Sequence, residues 1–409
     1  MDPLGLYQIA DQLATLLVPG VRERMHRPRF LTTMAVGAVV TEEMETNPEQ
    51  PEAPPFMIWE WLVVEALMRT MGDDGSLKNV PGSLVTKRAL LQQGYLHHRS
   101  YLKTPRIFGF HGVYKRLAIH LGILDVHLTP SVNCHQLVDE WARDAGYRSI
   151  DDTRSLRSKW RSAIERSMSQ RPSSTRVNFK ANDWYELARL TAPHEVGRLE
   201  KQRLRKLLLS KDDHSLGAFS EIWNLQEQFT DASYCEEELH QILKAKVIEY
   251  TSLLNAIQNY ELFSRALQDS FDILRVDASA SETFGLDLKM FSSNPLFIES
   301  LQKLDSKAAA ARKALLELDT KLVTQFDERF ETFARSMSHH EYAITICDHH
   351  EMIQKEKGIE GKRPWLDRPS RDRVFIRHRY RTNPHQIEPL QYLHSYRGWP
   401  IREFYSDLR

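Results

Sequence analysis

Between Leu296 and Lys357 the sequence runs for 62 residues without a single Gly or Pro. Those are the two residues that most strongly break a helix, one by backbone entropy and the other by a missing N–H and a ring clash, so the run predicts helix. SMSHHE around Met337, weak in helix formers, is the one place for a bend or short loop. Pro295 precedes it, where a first helical turn tolerates proline, and Gly358 and Gly361 end it. As one straight rod it would reach about 93 Å, more than a small globular domain needs. Its apolar side is Leu301, Leu304, Ala308, Ala311, Leu315, Leu318 and Leu322, followed after an extra four-residue step by Phe326, Phe330, Phe333, Met337 and Ile344. That step is a stutter, which locally unwinds a supercoil. The seam needs a cover. Residues 236–270, with helical spacing of their own, and a second copy of the chain are the two candidates.

A chain of 409 residues with 41% apolar residues can bury cores despite a mean hydropathy of -0.48. Lys plus Arg equals Asp plus Glu at 55 each, so only local charge runs can indicate a partner. Three scattered cysteines, Cys134, Cys235 and Cys347, exclude zinc-finger spacing and argue against a disulfide framework. No secretory pattern opens the sequence, and no run of 18 apolar residues occurs. The expectation is a cytoplasmic protein with no membrane segment and no cofactor.

Ahead of the long run, 6–17 predicts a short helix, 22–29 is basic, and 42–55 is an acidic, Pro-rich link. A helix over 56–70 leaves Glu60 and Glu65 for solvent, a second runs from Pro81 to Gly94, a third over 111–122, and a fourth over 133–144 follows the extended piece ILDVHLTP. This order, with YKRLAIHLGILDVHLTP running into QLVDEW, resembles winged-helix modules over residues 56–147, although only one strand follows the third helix. The predicted fold is mainly α, a winged-helix-like N-terminal domain followed by an elongated helical-bundle or coiled-coil-like body. By composition the chain divides into 1–55, 56–147, a basic helix and linker at 148–182, a helical domain at 183–294, the long helix or hairpin at 295–358, and a basic aromatic tail at 359–409.

The winged-helix resemblance implies that the third helix reads DNA, with His111, Tyr114, Lys115, Arg116 and His120 outward and Arg99, Lys103 and Arg106 on the approach to it. The tail adds Arg373, Arg377, Arg379 and Arg381 among aromatic residues, a composition suited to nucleic acid or to a segment threading over its own domain. The densest polar cluster is His339, His340, Cys347, Asp348, His349, His350 and Glu351. Cys347, His350 and Glu351 share a helix face, so a metal is conceivable, but HExxH and HxxxH are absent and a solvated helix end is the plainer reading. Asp348 with Glu360-Gly-Lys362 has the composition of a metal-dependent nuclease site in a turn rather than on a strand edge. No phosphate-cradling or dinucleotide loop and no nucleophile signature occurs.

Three functions follow, in order: a non-catalytic DNA-binding subunit of a larger nucleic-acid-processing assembly, such as one serving bacterial antiviral defence; a structural protein–protein adaptor or oligomeric scaffold; and a metal-dependent nuclease. The partners expected are DNA, partner protein subunits and, if the seam is shared between copies, a homo-oligomer.

Overall fold

A computed structural model describes residues 2–409 apart from 72–76, 78, 152–155, 213, 231–232, 359–360 and 383–391. The chain forms two compact units, and each is assembled from two separated stretches: a first from Met1–Leu17 and Phe229–Tyr396, a second from Val18–Gln228 and Arg397–Arg409. Both are mainly helical.

The first unit is organised on one helix, Thr251–Ala280, whose Leu253, Leu254, Ile257, Tyr260, Phe263, Leu267, Phe271 and Leu274 are buried. The seam Leu304, Ala308, Ala311 and Leu315 of the Leu304–Leu318 helix packs against it, so that part of the seam is covered from within the chain. Small residues at the seam's centre let the two backbones approach. Ala311→Leu would force three extra heavy atoms into that contact and is expected to lower stability by about 1–3 kcal/mol in denaturant titration.

The Gly- and Pro-free run is not one rod. It breaks into Pro295–Ser300, Leu304–Leu318, Thr320–Phe330 and His339–Lys355, with a single turn of tighter helix at Glu331–Ala334. Each break has a local cause. Lys303 takes a left-handed conformation at φ +57. Asp319 is extended, and its carboxylate accepts the Lys321 N–H at 2.8 Å, starting a new helix. Ser338 does the same in a capping box with Glu341. Short polar side chains that offer the backbone an alternative partner end a helix without any strong breaker. The aromatic half of the seam then folds back: Phe326, Phe330 and Phe333 surround Phe263 with ring centroids 5.2–6.5 Å away.

The described strands all lie in this unit. Gly285–Asp287 and Leu366–Ser370 flank Arg373–Ile376 in an antiparallel sheet, with Leu286 opposite Val374 and Leu366 opposite Ile376. The expected winged-helix fold of residues 56–147 is therefore corrected. In the second unit the segment after the Phe110–His120 helix has only an isolated bridge between Leu124 and Pro130. Asp125 Oδ1 accepts the N–H groups of His127 and Thr129, both at 2.8 Å, and curls the stretch into a tight turn. Ser131 then caps the Val132–Asp144 helix at once. No wing is formed.

The core of the second unit is the pair Arg29–Val40 and Pro55–Thr70, both buried on nearly every side. They pass close at Gly37, where a Cβ would overlap the Trp59 indole, whose N–H donates to Thr33 O at 2.9 Å. A helix enclosed all round leaves no solvent face, so Glu60 and Glu65, expected outside, are both 0% exposed. Buried carboxylates need donors. Glu60 accepts the Tyr101 hydroxyl at 2.9 Å and the His111 N–H at 2.8 Å; Glu65 takes Arg69 and the Thr175 hydroxyl.

Candidate functional site

Helix Ser83–Gln93 of the second unit is built against the usual plan. Gly82 and Gly94, at φ +82 and +80, bound it, as Pro81 and Gly94 in the sequence predict. Its core face consists of the small residues Thr86 and Ala89, which seat it on the Pro55–Thr70 helix. Val85 and Leu90 are half-buried, whereas two large residues point outward: Leu84 is 82% exposed and Leu91 81%. Seven residues apart, these leucines share one face about 10.5 Å apart along the axis, and the exposed Lys87 and Arg88 lie between them. Ile107 and Phe108, also exposed, carry Arg24 over the Phe108 ring at 4.8 Å. Single exposed leucines are ordinary; a two-turn stripe of them is not.

The structure distributes the sequence-predicted DNA residues differently from the expectation. Arg99, Lys103, Arg106 and Arg116 are exposed and Lys115 is half-exposed. His111 and Tyr114, placed outward in the winged-helix reading, are buried. The His111 ring stacks on Phe56 with centroids 4.5 Å apart, and burial, helped by the nearby Lys115 charge, pulls its pKa down to about 3. Tyr114 accepts the Arg27 N–H at 2.8 Å, and burial pushes its hydroxyl pKa up. With no wing and with His111 and Tyr114 in the core, the DNA-binding reading loses the element that would dock in a groove, and nothing in the fold supports the antiviral role set beside it.

The tail arginines belong to the other unit, and most hold their own fold. Arg373 lies over Phe375, Arg381 over Phe284, and Arg377 pairs with Asp367; Arg379 is exposed. Trp365 and Tyr380 stack at 4.7 Å, and Arg275 sits over the Trp365 ring.

The His/Cys/Asp cluster serves as an anchor. His349 Nε2 donates to Leu4 O at 2.8 Å. His350 Nε2 accepts the Trp365 N–H at 2.9 Å, so its proton is on Nδ1 and is given to Pro3 O at 3.0 Å. Gln354 also donates to Pro3 O. Burial holds both imidazoles neutral, with pKa values down at about 4. Asp348 and Glu351 hold Arg368, while Cys347 is buried with its thiol pushed up to about 12, as is that of Cys134. Among the described residues no group of three His, Cys, Asp or Glu could hold a metal ion. Glu360 of the nuclease triplet lies outside the described residues.

The surface around the Ser83–Gln93 helix had a signal that periodicity does not register. From Gly75 to Leu124 the sequence holds eight Lys or Arg and no Asp or Glu, where the overall frequency of 55 acids in 409 residues would place about seven. No family model, curated protein or solved structure matches this chain. Among the described residues no helix is long and apolar enough to cross a membrane.

Proposed function

We propose that this protein is a helical protein–protein adaptor whose docking element is the Ser83–Gln93 helix. The observation that carries the reading is the outward pair Leu84 and Leu91, each more than four-fifths exposed on a helix whose fully buried residues are the small Thr86 and Ala89. Leucines in that position bury less than a fifth of their surface in the fold. Covering both would remove apolar surface worth about 1.5–3 kcal/mol per side chain from water, the scale of an interface anchor.

The test is co-purification from native cells of the wild-type chain and of a Leu84→Glu/Leu91→Glu variant. Because both side chains are exposed, the variant should fold with unchanged circular dichroism and melting. A stoichiometric protein partner is expected with the wild type and should be lost with the variant. A partner retained by the variant, or none with either, would sink the adaptor reading at this helix.

A further inference from the structure

We infer that the partner seated on the Ser83–Gln93 helix is an acidic amphipathic helix; this rests on the adaptor reading above. Two properties of the surface select it. The first is shape: apolar groups seven residues apart on one face are the stripe that a second helix covers with its own i, i+3, i+4, i+7 residues. The second is charge. Exposed Arg88 stands between the leucines, on the acid-free run from Gly75 to Leu124. The run's exposed Lys103 is two residues beyond Tyr101, whose hydroxyl lies against Gly82 at the start of the docking helix. Glu60 and Glu65, on the Pro55–Thr70 helix against which the docking helix packs, are buried and committed to internal donors. A partner with Glu or Asp flanking its apolar seam meets the cations and covers the leucines together.

The same two properties argue against the other occupants. A second copy of this helix, parallel or antiparallel, would bring Arg88 against the same cation of its partner, because it lies midway between the leucines. A nucleic acid would answer the charge and leave both leucines wet, since phosphates and sugars offer no apolar surface to cover them.

The experiment uses the whole chain and three probes followed by fluorescence anisotropy: a synthetic helical peptide of about 20 residues with a leucine seam flanked by Glu, the same peptide with Lys for Glu, and a DNA duplex of about 20 base pairs. The Glu peptide should bind, and the Lys peptide at least about tenfold more weakly. Arg88→Glu and Leu84→Glu/Leu91→Glu should each weaken the Glu peptide by about tenfold or more, and added salt should weaken it in the wild type. Equal binding of the two peptides, or none of the Glu peptide up to about 1 mM, overturns the inference. So does duplex binding that falls with Arg88→Glu but not with the leucine changes, or a concentration-dependent dimer in light scattering that the leucine changes abolish. If the native partner is lost with the leucine changes and kept with Arg88→Glu, the adaptor reading stands and the acidic partner falls.

Discussion

Gly109→Ala is expected to destabilise the protein by about 3–5 kcal/mol, although it adds one methyl group. Gly109 is the N-cap residue of the Phe110–His120 helix, and a Cβ there would overlap the Glu60 carboxylate. That carboxylate comes from another helix to accept the His111 N–H, one of the orphan donors of the helix start, and the bare glycine makes room for it. Glu60 is enclosed, and burial has pushed its pKa up to about 7 against the pull of its two hydrogen bonds. Displacing it would strand a buried carboxyl group along with the Tyr101 hydroxyl and the His111 N–H. Equilibrium denaturation checks the loss. In a Gly109→Ala/Glu60→Ala double variant the two costs should fall well short of additive, because the second change removes the atoms the first one strikes. A loss under about 1 kcal/mol for Gly109→Ala would show that the junction yields. The Arg198–Leu208 helix repeats the design: a Cβ at its N-cap Gly197 would overlap Asp144, whose carboxylate accepts the Glu200 N–H at 2.8 Å.

Acid should dismantle the anchor of residues 2–6 in the first unit. His349 and His350 are held neutral with pKa values at about 4, below the ordinary 6.5, so the folded state binds fewer protons than the unfolded chain between those values. Their contribution is complete above pH 6.5, falls as pH drops toward 4, and amounts to about 3 kcal/mol for each ring. His240, buried between Tyr392 and Tyr396 and depressed to about 3, adds in the same direction. Trp365 is the one tryptophan of the first unit and bonds to His350, which makes it the reporter: its exposure to quencher and its amide exchange should rise below about pH 5. His349→Gln/His350→Gln should lower stability at neutral pH and flatten the acid limb. An unchanged acid limb would dispose of the assignment. In the second unit Glu60 acts with the opposite sign, since a raised carboxyl pKa means stability gained as pH falls from 7 to 4.5 and lost as it rises; His111 opposes it below pH 6.5.

Local rules in the sequence reached as far as the element and no farther. The Ser83–Gln93 helix was bounded by Pro81 and Gly94, and the Leu304–Leu315 seam was plain from its spacing, because caps and periodicity act over a few residues. The break at Ser338 falls in SMSHHE, where weak helix formers mark it, but the break at Asp319 was missed because Asp is weak inside a helix and strong at its start, and context alone decides which. The winged-helix expectation failed over Asp125, a single Asx turn where an extended strand was needed. The histidines looked like ligands or a wet helix end. Their acceptors, Pro3 and Leu4, lie about 345 residues away, which no local pattern can reveal. Glu60 and Glu65 looked exposed because they are charged, yet the helix carrying them is apolar on every side, and that was the better guide.

The interleaving of the two units sets a timetable for synthesis. The Tyr7–Leu17 helix, with Ile9, Leu13 and Leu17 buried in the finished protein, is made well before its cover, Thr251–Ala280 and Thr320–Phe330. At about 5–20 residues per second that is a wait of tens of seconds with an apolar face bare. The second unit waits longer still, since Arg27 and His26 find Asp407 and Glu403 only after residues 397–409 are made. The first unit is complete only once residues up to 396 are made and the second only once residues up to 409 are made, so apolar surface of both stays uncovered for most of that time. Fragments cut at residue 228 would each lack a piece that the other carries.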